Sequence, residues 1–422
     1  MTEKQRLQVN NEALQEIKEV LAKKVIMIQT GTDTIEIELP EVFTTAKDFY
    51  WYQVNSDTFL LSANVNGVGI WSYHIKSKTF KQCWTSAYWR NYYQITDKLI
   101  LITSGTGTTG VLLYDVETDE ITTTDIGYYA SLYIYKVDDE RFLIACSGGT
   151  NSGVTLFYTS TRKSELKHNV SYSWRNFARV GDSILISSSN NNTGLLRFDV
   201  LTNEMSQIHT TGYWEYLTVI GNKCFISSNS SSVLGLLRYN DSDKSLKTIS
   251  TEGYYWNIFI EVDGKVFVSG KNYLKGLYLI EDDTVTQIYA DGYNYTYAHK
   301  IKDRVVINNT SKFLLIYDFT NKSIEKIDTP NGGYCAYSVE IGDKLLLTSA
   351  YTNYEKLHIY HYDTNTVSEN ASTFKFSNYD IFRLDGENCY LSSSKSDKVM
   401  ILYYTSADDS VTLAGAKLEV KL

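Results

Sequence analysis

One phrase recurs nine times along the chain, and a repeat of this kind constrains the fold more than any other feature. The phrase is an extended apolar run, a turn with Asp, Asn or Gly, a second apolar run and a Ser/Thr-rich end. It reads YQVNSDTFLLSA at 52–63, YQITDKLILITS at 93–104, ARVGDSILISSS at 178–189 and VEIGDKLLLTS at 339–349, among others. The turn acids Asp57, Asp97, Asp139, Asp182, Asp263, Asp303, Asp343 and Asp385, with Asn222 in the fifth slot, keep the register at spacings of 40 to 43 residues.

A second hairpin follows each copy. Its first strand ends in an aromatic residue and often an acid, as in Leu112-Leu113-Tyr114-Asp115 and Leu315-Ile316-Tyr317-Asp318. Asx and Thr residues fill the turn, where their side chains bond the local backbone. Two hairpins per period predict one four-stranded blade. The expected fold is all-β: a β-propeller of about nine four-stranded blades, eight to ten bounding the count, with a short N-terminal α-helix. Residues 25–38 read as a second hairpin lacking its first, and the last unit carries its own second hairpin at 399–413. A terminal strand is therefore expected to complete the blade at the other end and remove exposed edges.

The chain has 35 Tyr and only 2 Pro. Its aromatic residues concentrate where one unit passes to the next, and Gly127, Gly212, Gly253, Gly292 and Gly333 precede them. These glycines are expected at positive φ. The aromatics have two readings. They fill the wedge between adjacent blades, or they stack on sugar rings with neighbouring Asn, Ser and Tyr bonding the hydroxyls. On the second reading Trp89, Tyr129, Trp174, Trp214, Trp256, Tyr295 and Tyr337 are the ligand-binding set, and repetition gives avidity on a polymeric glycan.

Residues 1–24 differ from the propeller expected over 25–422. Leu7, Leu14, Ile17 and Leu21 form a stripe at helical spacing. Asn10 or Asn11 caps the segment, and Lys23-Lys24 suits its C-terminal end. A three-turn helix is marginal alone in water, so the stripe needs a partner: its own propeller, a second copy as a homo-oligomer, or another protein.

Exclusions follow from charge and composition. A net charge of −9 without a long Lys/Arg run argues against nucleic acid. No apolar run approaches a membrane span, and residues 1–24 lack the apolar core of a signal peptide. Five cysteines without short spacing read as inert core residues made in a reducing compartment. No catalytic motif is visible, so no enzyme, cofactor or metal is expected. His358 and His361 read as exposed strand residues. Residues 105–110 are Gly-rich but lack the Lys and following helix of a phosphate loop.

The stretch from Leu7 to Leu21 resembles the opening of structural proteins of phages and phage-tail-like particles from low-GC Gram-positive bacteria. That resemblance implies a virion- or tail-associated protein, anchored to other virion or tail proteins by the helix and facing a surface polysaccharide with the propeller. It would be made in the bacterial cytoplasm and released by lysis. The propeller resembles kelch-like repeats in period and strand pattern alone, without their Gly-Gly doublet. A cytoplasmic protein-interaction scaffold and a propeller glycan lyase or hydrolase are the alternatives.

Overall fold

The structure is a computed structural model. It describes the backbone over 25–419 except segments 31–32, 44–47, 64–66, 86–88, 105–109, 127–130, 148–152, 171–173, 189–193, 229–234, 254–255, 271–275, 293–294, 310–312, 331–336, 342–343, 349–357, 370–378, 386–387, 394–397 and 406–409. Side chains are described for most strand residues between 37 and 369. The predicted N-terminal helix, with Leu7, Leu14, Ile17 and Leu21, lies outside the described residues.

The described chain is an all-β propeller with no α-helix. Nine four-stranded antiparallel sheets follow one another, each a meander of consecutive strands. They are blades I (49–84), II (89–123), III (131–168), IV (174–209), V (216–250), VI (256–289), VII (295–328), VIII (337–369) and IX (379–419). Blade IX takes all four strands from its own segment, and Val25–Thr30 pairs with Asp33–Glu38 as a separate hairpin. The expected exchange of a terminal strand therefore does not occur. Instead Ile37, Leu39 and Phe43 pack against Phe59, Leu61 and Tyr73, covering one face of blade I.

The chain divides into two compact units: Met1–Phe177 with Ser188–Thr193 and Arg197–Ser206, and Ala178–Ser187 with Gly194–Leu196 and Gln207–Leu422. In the first unit the first strands of blades I and II lie side by side. In the second, the first strands of blades V to IX do so in succession. The second strand of a blade is buried on both faces, which is why it reads as an unbroken apolar run. Alternate residues serve opposite junctions. Leu61 joins the core beneath the N-terminal hairpin, whereas Leu60 packs with Ile100, Ile102 and Tyr114 of blade II. Leu99 and Leu101 of blade II pack with Leu132, Phe142, Ile144 and Phe157 of blade III.

Polar locks tie successive blades. The Ser hydroxyl near the end of a second strand donates to the carbonyl of the residue opening the next blade. Ser62 donates to Trp89 at 2.7 Å, Ser227 to Trp256, and Ser269 to Tyr295 at 3.3 Å. At these three junctions the Ser-rich end of the repeated phrase is thus an inter-blade clasp. A second lock comes from the last hairpin of a blade, whose turn places a non-glycine residue at positive φ. Asp119 of blade II is one, at φ 54°. Its carboxylate accepts from Tyr114 of its own blade at 2.8 Å, and from Ser72 and Lys81 of blade I at 3.2 and 3.1 Å. Burial alone would raise the Asp119 pKa, but hydrogen bonds from Tyr114, Lys81, Ser72 and His74 outweigh it and hold the carboxyl below its ordinary value. Asn365 repeats the pattern, accepting from Tyr360 at 2.9 Å and donating to Glu325 of blade VII at 2.7 Å. Cys224 is a buried core thiol pushed up to about 12 by burial, and Cys83 is half-buried.

Candidate functional site on the first strands

The junction aromatics resolve into two classes with opposite exposure. Trp89, Trp174, Trp214, Trp256 and Tyr295 are between 0% and 3% exposed. A ring so enclosed has no face to offer a sugar, so the wedge-packing reading holds for these five and the stacking reading does not. Tyr129 lies outside the described residues. Tyr337 opens the first strand of blade VIII, but its side chain lies outside the described set.

The buried rings act as staples on the chain that enters each blade. The indole N–H of Trp174 donates to the Val170 carbonyl at 3.3 Å, that of Trp214 to Thr211 at 3.0 Å, and that of Trp256 to Glu252 at 3.2 Å. The Tyr295 hydroxyl donates to the Asp291 carbonyl in the same way. His168 and His209 meet Trp174 and Trp214 edge-on at 5.5 and 5.4 Å. Gly212 stands at φ 95°, and a Cβ there would lie 2.7 Å from the Trp214 nitrogen. Gly253 and Gly292 are also at positive φ, as expected from the sequence, and Gly127 and Gly333 lie outside the described residues. Bulges follow Trp89, Trp256 and Tyr295, each inserting one unpaired residue. A bulge re-aims the side chains beside it, which separates the buried ring from the residue two positions later.

That later position carries the open surface. Tyr50, Asn91 and Tyr133 pair with Ser62, Thr103 and Ala145 on the adjoining second strands, so they share one rung of blades I to III. Tyr133 is 37% exposed, and Tyr297 at the same rung of blade VII is 40% exposed. The Arg90 guanidinium lies 6.0 Å from the Tyr50 ring centre. Beside Tyr50, Trp51 is 50% exposed and rests against Phe59 at 5.8 Å. Residues Trp51, Tyr133 and Tyr297 were not in the set drawn from the sequence. Their signal was register: each lies three or four residues before the buried Val54, Val137 or Ile301 that closes its first strand.

The next rung joins neighbouring blades. Tyr52 stacks on Tyr92 at 5.8 Å and 18°, and its hydroxyl donates to Gln94 Oε1 at 2.8 Å. Tyr135 stacks on Phe177 at 5.4 Å. At this rung of blade VII stands His299, with Nε2 2.6 Å from the Ser338 hydroxyl and Nδ1 3.3 Å from Glu340 Oε1 of blade VIII. Burial, outweighing the raising effect of Glu340, holds the His299 pKa below its ordinary value. No local motif marks this group, because Ser338 lies 39 residues from His299 in the chain.

Charged grooves lie between blades elsewhere. One of about 720 Å³ between blades II and III is lined by Asp97, Asp115, Glu117, Lys98, Lys136 and Arg162. Its charges largely satisfy one another: Lys98 pairs with Glu117 at 2.6 Å, Lys136 with Asp139 at 2.8 Å, and Arg162 with Asp115. His358, expected at the surface, is buried in the third strand of blade VIII, while half-buried His361 bonds Ser368 at 2.7 Å. Among the described residues no cluster of His, Cys, Asp and Glu could hold a metal ion, and no helix is long and apolar enough to cross a membrane.

No protein-family model and no curated protein matches the chain. Solved structures do. Apo AztD from Citrobacter koseri is similar at 10% identity over 88% of this chain and 94% of that one, with a TM-score of 0.40. A dihydro-heme d1 dehydrogenase, NirN, is similar at 14% identity over 77% and 74%, with a TM-score of 0.38. The computationally designed Ika8 protein is similar at 9% identity over 75% and 93%, with a TM-score of 0.36. Likeness at this level is silent on ligand, activity and partner.

Proposed function

We propose that this protein is a surface-recognition propeller that binds a polymeric cell-surface glycan through the open aromatics of its first strands, carried on a virion or phage-tail-like particle. The observation supporting glycan binding is the exposure of Trp51. An indole with half its surface in water contributes little to the core, and its open face suits a sugar ring. The rung of Tyr50, Asn91 and Tyr133 supplies alternating aromatic and amide groups, and Asn91 is already oriented by donating to Thr103 Oγ1 at 3.2 Å. Repetition of the rung from blade to blade suits a polymer, because linked weak sites gain avidity. The particle setting is supported by the sequence between Leu7 and Leu21 alone.

Two measurements test this. Full-length protein is passed over immobilised wall polysaccharide from Gram-positive cells, with Trp51→Ala and Tyr133→Ala as variants. Retention is expected to fall at least tenfold, about 1.4 kcal/mol, while the melting temperature stays near that of the parent. Unchanged retention in both variants removes the aromatic row as a binding site. Gold-labelled antibody against the chain should decorate particles released by lysis; particles that never carry the label remove the particle setting.

A further inference from the structure

His299, Ser338 and Glu340 bring a hydroxyl, an imidazole and a carboxylate into a single line across the junction of blades VII and VIII. We propose that they form an acyl-transfer site that hydrolyses esters of small acyl groups, with Ser338 as nucleophile, His299 as general base and Glu340 as the positioning residue.

The hydrogen-bond arithmetic sets the tautomer. An ionised carboxylate only accepts, so Nδ1 of His299 carries the proton and donates it toward Glu340 at 3.3 Å. Nε2 is then the free lone pair, and the Ser338 hydroxyl at 2.6 Å donates to it. A nucleophile within hydrogen-bond reach of a base that a third group orients is the arrangement that activates a serine. Burial keeps the imidazole neutral and ready to accept a proton.

Position alone explains why the three residues meet. The same rung brings Tyr52 to Tyr92 and Gln94, a trio that stacks and bonds but has no acid–base pair. Packing therefore accounts for the contact, and residue identity supplies the chemistry. Access is partial. Ser338 is 9% exposed, the His299 side chain 19% and the Glu340 side chain 43%, and the little of Ser338 that meets solvent suits a small acyl group. The first strand of blade VIII is a sheet edge, paired on one side only. Its outward backbone N–H groups are the kind of donor an ester oxyanion needs.

The reaction balances on these residues and water. Ser338 Oγ attacks the ester carbonyl as its proton passes to His299 Nε2. The tetrahedral adduct collapses, the alkoxide leaves with that proton, and Ser338 is acylated. Water then attacks the acyl carbon, giving a proton to Nε2 that returns to Ser338 Oγ as the carboxylic acid departs. Ester and water become acid and alcohol. An O-acetylated polysaccharide would join this activity to the glycan reading, and that extension alone rests on it.

The test uses full-length protein, p-nitrophenyl acetate and a fluorophosphonate probe. The probe is expected to add to Ser338, located by mass spectrometry of peptides, without need of a variant. Ser338→Ala should lose ester turnover and labelling, and His299→Gln should lose at least 100-fold in kcat. Glu340→Gln should lower kcat with KM unchanged, a split that loss of packing would not produce. Circular dichroism on each variant checks folding. Leu201→Ala, at a 74% exposed position outside both sites, should hydrolyse the ester at the parent rate, and retention of the parent on wall polysaccharide is read separately, which distinguishes failure of this site from failure of glycan binding. Absence of probe at Ser338 in the folded parent, or equal turnover by folded Ser338→Ala, overturns the proposal.

Discussion

Replacing Trp214 with Ala tests the staple reading. The indole is fully enclosed, packing among Ala178, Val180, Leu195, Ile226 and Leu237 of its unit. A buried Trp removes roughly 150–250 Å² from water, about 4–6 kcal/mol at roughly 25 cal/mol per Å². That figure is an upper bound because an unfolded chain already buries some surface; Trp→Ala substitutions in cores cost about 3–5 kcal/mol. The lost hydrogen bond adds little. The Thr211 carbonyl keeps His209 Nδ1 at 2.6 Å as a second partner. An expected cost of about 4 kcal/mol corresponds to a fall of roughly 8–16 °C for a unit of this size. Thermal unfolding followed by near-ultraviolet circular dichroism reads it directly. Trp214→Phe keeps a ring and should cost less than Trp214→Ala, because fewer buried atoms are removed. A loss below roughly 3 °C for Trp214→Ala, or one no larger than for half-exposed Trp51→Ala, would refute the staple reading.

Gly212→Ala should destabilise by about 1–3 kcal/mol, measured by urea unfolding, because positive φ and the nearby indole both oppose a Cβ. Ser62→Ala should cost about 1–3 kcal/mol in the same assay: it strips the Trp89 carbonyl of its donor and Tyr92 of its acceptor at 2.7 Å. Asp119→Asn should flatten the acid limb of the stability profile. The folded carboxyl titrates below its unfolded value, so its contribution is present above about pH 3.9 and is lost as pH falls through the lower folded value. A parent and variant that lose stability in parallel between about pH 5 and pH 2 would contradict this.

The blades were legible in the sequence because the apolar runs and turn residues that mark each hairpin are local and recur at one period. The positive-φ glycines were legible for the same reason: Gly212, Gly253 and Gly292 lie where the chain turns into a blade. The fate of the aromatics was not. Whether Trp256 faces solvent depends on the bulge between Trp256 and Ile258, which no residue type announces. The His299 group shows the same limit over a longer distance. Ser338 lies 39 residues away, almost one full period, so it becomes a neighbour only once blade VII is known to lie beside blade VIII. The terminal strands misled because an unpaired hairpin suggested exchange, whereas Ile37 and Phe43 show that apolar side chains, not strand pairing, engage it.

The Ser clasp also bears on how such a chain grows. Ser62, Ser227 and Ser269 each donate to the carbonyl of the opening residue of the following blade. The donor lies in one period and the carbonyl belongs to the backbone of the next, so the clasp places little demand on which side chain opens the incoming blade: Trp and Tyr both serve. A tandem duplication of one period would arrive with its own donor and meet a carbonyl already in place. Array length can then drift by whole periods during descent with little loss of junction stability, since each junction depends on its immediate neighbours.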